Sequence, residues 1–529
     1  MIDAIVAGAR IYDGLGAPPF VTDLGIVGER IALIGALEAQ DARLRIDARG
    51  LALAPGFIDT HAHSDELWLV DPRCLGKLAQ GVTTEIGGNC GRSAAPLFGP
   101  AREAKQTALL LDGLDPSWES LDEFLGEVAR ARPAINVATL VGHGTVRRGL
   151  VGDRPGRLDD DESAALCATI REAVEAGALG LSSGLAYVPS RFADTEELIA
   201  CSRAARDAGA ARYATHLRDE SAGLLAATGE ALAIGEAAEV AVVCSHHKAA
   251  WQPNWGLVHR SLAAIERARA RGHNVAVDCY PYVAMWTELA TILPEDALAG
   301  GREATLARLR DPRTAAALTL RVELDWHDRW EQIRIASFGG ERNEEPTGAT
   351  IGRTVAEIAR ERTATATRTA LALLAEARME VEAIFFAMSQ DDVATVLSAD
   401  FCAIGSDASA RACDGPTARG LPHPRTFGTF PRVVRRFVFG RRTFDLAEAI
   451  RRMTSFPAAL FGLRGRGRIA PGAFADLVLF DPERLRDTAT YEQPYAYPEG
   501  VAAVFVNGRL ALRDGAPTGE RAGRVLRGG

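Results

Sequence analysis

The pattern of the chain predicts an α/β fold: a (β/α)8 barrel of the TIM type, with a small β-sandwich built from both chain ends. Three observations lead to this prediction. The middle of the chain alternates short apolar runs with longer amphipathic stretches, whereas both ends alternate apolar and polar residues between Gly-rich turns. The length of 529 residues also exceeds what one core usually holds. We expect the sandwich over residues 1–54 and 468–529, and the barrel over residues 55–467.

The two ends predict short antiparallel strands. AIVAGARIYDG and DLGIVGERIALIG near the start show this alternation, as do GAFADLVLFDP and AAVFVNGRLALRDG near the end. Asn507-Gly508 is typical of a tight hairpin turn. Both ends are therefore expected to join into one small sandwich.

Eight apolar runs between the ends predict the barrel strands. Their expected ends are near Asp59, Glu85, Val141, Leu181, Thr215, Ser245, Val277 and Ser406. The stretches between them have helical periodicity, as in DDDESAALCATIREAVEAG, where Leu166, Ile170 and Val174 recur every four residues. The gap between the last two strands is too long for one crossover helix, so we expect an inserted lid-like segment around residues 284–345.

Composition and charge exclude several classes of protein. Hydrophobic residues make up 47% and charged residues 24%, and the net charge is −9. No basic run indicates nucleic acid, and Arg435–Arg442 is interpreted as an exposed helix face. No apolar run reaches membrane-spanning length, no signal peptide is visible, and the eight cysteines lack framework spacing. We therefore expect a soluble cytoplasmic protein with reduced cysteines.

Residues typical of metal ligands follow the expected strand ends. In GFIDTHAHSD, His61 and His63 are two residues apart, so on a strand both point to the same side. Six of the ten histidines lie at such ends, together with Cys90 in GGNCG and Asp407 in GSDAS. Active sites of these barrels lie at the carboxyl ends of the strands, and this mixture of ligands favours zinc. The sequence therefore predicts metal-assisted hydrolysis of a carbonyl compound, with Asp407 transferring the proton.

Eight motifs resemble those of the N-acyl-D-amino-acid deacylases (D-aminoacylases) of the amidohydrolase superfamily. They are GFIDTHAHSD, GVTTEIGGNCG, GLSSGLAYVPS, THLRDES, SHHK, DCYPY, GSDAS and HPRTFGTFPRV, and the likeness runs through nearly the whole chain. The HxH pair occurs throughout the superfamily, whereas GNCG, SHHK and HPRxxGTFPR together are more specific. The resemblance implies zinc-dependent hydrolysis of N-acyl-D-amino acids to a carboxylate and a free D-amino acid.

The resemblance also implies roles for individual residues. The tight zinc ligands would be Cys90, His216 and His246. A second, weaker metal position would be lined by His61, His63 and Asp407, with Asp407 as general acid and base. A free carboxylate on the small-molecule substrate would be held by Lys248, Tyr280 and Arg425, helped by Tyr187. Thr287 would replace the small hydroxyl residues that relatives show after DCYPY, and Tyr282 remains an alternative to Tyr280.

Three other functions are compatible with parts of this pattern. A catalytically inactive barrel would have a broken ligand set, and no ligand is missing here. A cyclic-amide hydrolase of the hydantoinase or dihydroorotase type would have a bridging lysine and no GNCG loop. The same machinery could hydrolyse another carboxylated amide, such as a dipeptide or a carbamate. The sequence leaves open the side-chain preference (hydrophobic, Glu or Asp), the acyl group, the number of metals and the oligomeric state.

Overall fold

The structure is a computed structural model that describes residues 1–339 and 350–528, apart from the side chains of residues 107, 108 and 111. Residues 340–345 of the predicted insert therefore lie outside the described residues.

Strands and helices alternate through the middle of the chain. The described strands are β1 (Ile2–Ile11), β2 (Phe20–Val27), β3 (Arg30–Gly35), β4 (Ala42–Asp47), β5 (Ala52–Pro55), β6 (Phe57–Asp59), β7 (Val82–Gly87), β8 (Asn136–Thr139), β9 (Val141–Gly142), β10 (Leu181–Gly184), β11 (Arg212–His216), β12 (Ala241–Cys244), β13 (Val275–Cys279), β14 (Met285–Glu288), β15 (Ile333–Phe338), β16 (Val381–Phe385), β17 (Cys402–Ile404), β18 (Leu477–Phe480), β19 (Val501–Val506), β20 (Arg509–Arg513) and β21 (Ala516–Pro517). The described α-helices are α1 (Leu67–Val70), α2 (Leu75–Leu78), α3 (Gly99–Leu111), α4 (Leu121–Ala131), α5 (His143–Val151), α6 (Asp160–Glu175), α7 (Thr195–Asp207), α8 (Leu224–Ala238), α9 (Leu257–Ala270), α10 (Glu295–Leu298), α11 (Gly301–Arg310), α12 (Pro312–Trp326), α13 (Val355–Glu361), α14 (Ala366–Glu376), α15 (Gln390–Ser398), α16 (Arg425–Arg432), α17 (Leu446–Met453) and α18 (Ser455–Phe461).

Two parallel sheets carry the strands that were expected to form the barrel. One sheet has the order β17-β13-β12-β11-β10-β9 and the other the order β6-β7-β8. Only Leu140 separates β8 from β9, so this part of the chain continues from one sheet into the other. Beyond the outer strands β6 and β17, Ala62 pairs in parallel with Ala408, and the Asp407 N–H donates to the His61 carbonyl at 2.8 Å. All the carboxyl ends of these strands therefore face the same side.

The strand ends lie close to their predicted positions, with one larger difference. The fourth strand begins rather than ends at Leu181 and continues to Gly184. Its polar residues Ser182 and Ser183 are both buried. Their hydroxyl groups are satisfied there by hydrogen bonds to a neighbouring loop and a neighbouring strand. A strand that hides polar side chains in this way does not show the apolar run that marks the other strands.

Strands from both chain ends form one nine-stranded hydrogen-bonded network, in the order β21-β20-β19-β18-β5-β1-β2-β3 with β4 also paired to β1. Residues 2–7 of β1 pair with β4, and residues 10–11 pair with β5, so β4 and β5 pair with successive parts of this long strand. The predicted hairpin at Asn507-Gly508 joins β19 to β20, and both residues have positive φ. That conformation is the one a type I′ turn requires.

The segment between β13 and β17 is longer than the predicted insert. Its antiparallel sheet β14-β16-β15 reaches Phe385, and the helices α10 to α14 lie in the same segment. Leu289, Ile335, Leu373 and Phe385 belong to a separate apolar core within this segment. A core of its own explains why the segment extends well past residue 345.

The basic run and the cysteines can also be compared with their expected environments. Arg435 and Arg436 are exposed on the π-helix Val433–Gly440, as the interpretation of this basic run required. None of the eight cysteines forms a disulfide, and Cys74, Cys201 and Cys244 are buried. Within the described ranges, the helices are too short or too polar to span a lipid bilayer.

Candidate metal centre

The candidate ligands lie at or just after the carboxyl ends of five strands. His61 and His63 follow β6, Cys90 follows β7 and His216 ends β11, while His246 follows β12 and Asp407 follows β17. Three of these residues have positive φ although none is glycine: Cys90 at 53°, His246 at 35° and Asp407 at 51°. Such backbone conformations cost energy and cluster at functional sites. Here they occur where three side chains turn toward a common centre.

Cys90 lies at the middle of the histidines. Its Sγ is 3.3 Å from His61 Nε2, 3.3 Å from His246 Nε2 and 3.7 Å from His216 Nδ1. A tetrahedral zinc with ordinary bond lengths would separate a sulfur and a nitrogen ligand by about 3.6 Å. The residues that the structure brings together therefore fit a zinc ion in both donor chemistry and spacing.

A second group of possible ligands adjoins the first. His63 Nε2 is 3.1 Å and His61 Nε2 is 3.6 Å from Asp407 Oδ1. Because His61 is also as close to Cys90 as His246 is, it belongs to both groups. The sequence had assigned His61 only to the weaker position. In the structure it borders both groups, so two adjacent metal positions would share His61.

The electrostatic surroundings favour the anionic ligands. Burial alone would raise the pKa of the Cys90 thiol, but the neighbouring His61 and His246 lower that pKa well below its ordinary value. Burial likewise opposes ionisation of Asp407, yet the Arg425 guanidinium and His246 hold its carboxyl pKa well below the usual range. A thiolate and a carboxylate are the forms in which these side chains bind metal.

Two carboxylates contact the ligands from behind, and the sequence reasoning singled out neither. Asp278 Oδ2 is 3.2 Å from His61 Nδ1, and its other oxygen accepts a hydrogen bond from the backbone N–H of His246 at 2.7 Å. Glu220 Oε1 is 2.9 Å from His246 Nδ1. Both residues stand inside motifs already quoted, DCYPY and THLRDES. Metal-bound histidines commonly donate their second ring N–H to a carboxylate, and this rule could have identified both residues from the sequence.

A buried lysine connects the two strand ends beside the centre. Lys77 Nζ donates to Asp59 Oδ2 at 2.6 Å, to Ser406 Oγ at 2.8 Å and to the Ala408 carbonyl at 2.9 Å, and lies 3.3 Å from Glu85. The lysine is completely buried. It therefore fixes the segment before His61 against the segment that carries Asp407, and nothing in its sequence context marked it.

A cavity of about 830 Å³ opens onto the centre. The predicted site residues on its wall are His63, Cys90, Tyr187, His216, His246, Lys248, Thr287, Asp407 and Arg425, whereas His61 and Tyr280 lie behind the wall. The Tyr187 hydroxyl is 3.0 Å from the Thr287 hydroxyl. The insert supplies part of the wall, because β14 and α12 contribute residues to it.

Arg425 is the most enclosed cation on the wall, with 2% exposure. Its Nη1 is 3.0 Å from Asp407 Oδ2, and its guanidinium lies 4.6 Å from the centre of the Tyr280 ring. Tyr282, the alternative to Tyr280, is instead stacked under Arg432 at 4.4 Å and donates to the Pro424 carbonyl. Of the two tyrosines, Tyr280 is thus the one that supports a cavity-lining arginine.

Comparison with known proteins identifies the family. Residues 45–511 match the model of the amidohydrolase family, so the chain belongs to that family. Within it, the chain belongs with the N-acyl-D-amino-acid deacylases, or D-aminoacylases, which confirms the resemblance found in the motifs. Three relatives come from Alcaligenes xylosoxydans xylosoxydans. An N-acyl-D-glutamate deacylase is 37% identical, covering 99% of this chain and 96% of the relative. A D-aminoacylase is 37% identical (99% and 97%), and an N-acyl-D-aspartate deacylase is 38% identical (99% and 95%).

Solved structures agree with this assignment. The N-acyl-D-glutamate deacylase from Bordetella bronchiseptica, complexed with zinc and a phosphonate mimic of the tetrahedral intermediate, superposes with a TM-score of 0.84 at 37% identity over 99% of both chains. A D-aminoacylase with a binuclear metal centre gives a TM-score of 0.83 at 35% identity over all of both chains. A D-hydantoinase shares the fold alone, with a TM-score of 0.56 at 16% identity over 99% of this chain and 98% of that one.

Proposed function

We propose that the protein is a zinc-dependent hydrolase that cleaves the amide bond of N-acyl-D-amino acids, releasing a carboxylate and a free D-amino acid. The observation that carries the proposal is the position of Cys90 among three histidines, next to an Asp407 that is paired with a cavity-lining arginine. The full-length likeness to deacylases of linear amides supports it.

The proposed zinc ligands are Cys90, His216 and His246, with His61, His63 and Asp407 around a second, weaker position. Zinc held by these residues would polarise the substrate carbonyl and would supply a hydroxide nucleophile near neutral pH by lowering the pKa of water. Asp407 then has two tasks: its carboxylate accepts the proton that the attacking water loses, and returns it to the nitrogen of the leaving amine. Arg425 and His246 hold the pKa of the Asp407 carboxyl well below its usual range, so the carboxylate is ionised and available as a proton acceptor.

We assign the substrate carboxylate to the cationic side of the cavity. A guanidinium binds a carboxylate through two parallel N–H bonds, and an ammonium adds a compact charge. Arg425 and Lys248 both line the cavity close to the centre, and Tyr280 supports Arg425 from behind. The Tyr187–Thr287 pair lies on the wall and offers hydroxyl groups to the acyl or amide portion of the substrate.

The proposal includes the finer architecture. The two parallel sheets would close into a (β/α)8 barrel over residues 55–467, with a β-sandwich from residues 1–54 and 468–529. The pairing of Ala62 with Ala408 supports closure, because it joins the outer strands of the two sheets. A cytoplasmic location suits eight cysteines that form no disulfide.

Metal analysis and a substrate panel test the function directly. The purified protein should contain zinc and should hydrolyse N-acetyl-D-amino acids in strong preference to their L enantiomers. The panel should include D-Leu, D-Met, D-Phe, D-Glu and D-Asp derivatives. The relatives named as N-acyl-D-glutamate deacylase, D-aminoacylase and N-acyl-D-aspartate deacylase are 37%, 37% and 38% identical to this chain, so identity does not favour one side chain. A metal-containing protein that cleaves dihydropyrimidine rings but none of these linear amides would contradict the proposal.

A further inference from the structure

Glu220 connects the metal centre with the substrate-binding side of the cavity. We propose that Glu220 is a positioning residue: its carboxylate orients two metal-binding histidines and at the same time holds the Lys248 ammonium that faces the substrate. This inference rests on the proposed function, since it takes His216 and His246 as zinc ligands and Lys248 as part of the carboxylate anchor.

The side chain of Glu220 contacts two histidines and a lysine of the site. The residue lies between β11 and α8, four residues after His216, and its side chain is 10% exposed. Oε1 is 2.9 Å from His246 Nδ1 and accepts a bond from Lys248 Nζ at 2.6 Å. Oε2 is 3.5 Å from His216 Nε2. One carboxylate therefore faces both histidines and the lysine.

The histidines present opposite ring nitrogens to this carboxylate. His246 turns Nδ1 to Glu220 and Nε2 to Cys90, whereas His216 turns Nε2 to Glu220 and Nδ1 to Cys90. An ionised carboxylate only accepts hydrogen bonds, so the ring nitrogen that bonds it must carry the hydrogen. At His246, which Glu220 contacts within hydrogen-bonding distance, the other ring nitrogen is then left with its lone pair directed at Cys90 and the metal position. At His216 the distance is longer than a hydrogen bond, so Glu220 acts there through its charge.

Lys248 depends on the same carboxylate. Its Nζ is also 2.7 Å from His246 Nδ1, where it can donate only if that nitrogen carries no hydrogen. If a metal binds Nε2 of His246, the ring hydrogen is on Nδ1 and this nitrogen can no longer accept a hydrogen bond. The Lys248 ammonium then donates to Glu220 instead. The backbone reinforces the link, because the Ala250 N–H donates to the Glu220 carbonyl at 2.7 Å. Glu220 thus keeps Lys248 in place and leaves its other N–H groups for the substrate.

Glu230 provides a matched control. It is also a largely buried glutamate, with a side chain 15% exposed, and it accepts two bonds from Arg218 at 2.8 and 2.9 Å. Within the described part of the chain, Glu230 has no contact with His61, His216 or His246. Glu220→Gln and Glu230→Gln therefore remove the same charge at similar burial, but only the first removes it from the centre.

The test compares the zinc-loaded wild type with Glu220→Gln, Glu220→Asp and Glu230→Gln. Zinc affinity is measured by competition with a chelator, and kcat and KM are measured with the best N-acetyl-D-amino acid and with its amide. For Glu220→Gln we expect zinc affinity to fall by about 10- to 100-fold, as for other carboxylates behind a metal-bound histidine. KM for the acid should rise several-fold while KM for the amide changes little, because only the acid uses Lys248. Glu220→Asp should restore part of both losses, since it keeps the charge.

Two results would overturn the inference. The first is a Glu220→Gln protein that binds zinc as tightly as the wild type with an unchanged KM. The second is a Glu230→Gln protein that loses as much zinc affinity, because the effect would then be one of general stability. Failure of the proposed function looks different: the wild type would cleave no N-acyl-D-amino acid, while the zinc measurements would still decide the role of Glu220.

Discussion

The carboxylate anchor can be tested at Arg425 with a substitution that keeps the charge. Arg425→Lys removes the two-point guanidinium fork and its stacking on Tyr280, which lies 4.6 Å away. Loss of one charge-assisted hydrogen bond and weakening of a cation–π contact together cost about 1–3 kcal/mol. Since about 1.4 kcal/mol corresponds to a tenfold change, kcat/KM should fall by about 10- to 100-fold.

The assay measures kcat/KM for an N-acetyl-D-amino acid and for the corresponding amide, which lacks the carboxylate. The amide should be a poor substrate of the wild type and should lose little more in the variant. Arg432→Lys is the matched control, because Arg432 stacks on Tyr282 at 4.4 Å and pairs with Asp487 at 2.7 Å but does not line the cavity. We expect this control to stay within about threefold of the wild type.

Three outcomes would refute this reasoning. If Arg425→Lys reduced the rate with acid and amide equally, the arginine would not bind the substrate carboxylate. If Arg432→Lys reduced kcat/KM as much as Arg425→Lys, the loss would come from disturbing the helix that both arginines share. Preference for L substrates in the wild type would also show that the carboxylate and the metal do not fix the substituents on Cα as proposed.

Three further substitutions test the centre and its support. Cys90→Ala should abolish bound zinc, because it removes the sulfur ligand from among the histidines; full zinc occupancy measured by elemental analysis would exclude Cys90 as a ligand. Asp407→Asn keeps the shape but cannot accept a proton, so kcat should fall by about 10²–10⁴-fold with a small change in KM; a kcat near that of the wild type would assign proton transfer elsewhere. Lys77→Met leaves the buried carboxylate of Asp59 unpaired and should lower the free energy of unfolding by about 3–5 kcal/mol in a urea titration. Lys105→Met, which breaks a half-exposed pair, should cost about 1 kcal/mol or less, and equal losses in the two variants would contradict this account.

Local sequence was sufficient to predict most of the strands and the candidate ligands. Strand alternation puts His61 and His63 on one side, and the rule that parallel strands present their carboxyl ends to one face groups them with Cys90, His216 and Asp407. Both signals depend only on residues within a few positions of each other and on the order of strands along the chain. The fourth strand was misplaced because its buried serines hide the apolar signal, and the insert was predicted too short because its helices and strands alternate in no simple order.

The tertiary structure alone decided which side chains touch. His61 lies as close to Cys90 as His246 does, which no spacing in the sequence indicates. Glu220 reaches His246 across 26 positions, and Lys77 reaches the Ala408 carbonyl across 331. Such contacts are set by how whole strands and loops pack around a shared centre, so the composition of any one segment does not contain them. The sequence by itself therefore determined the kinds of candidate ligand and the side of the sheet on which they lie, whereas packing determined which of them touch, because distances between distant segments exist only in the folded chain.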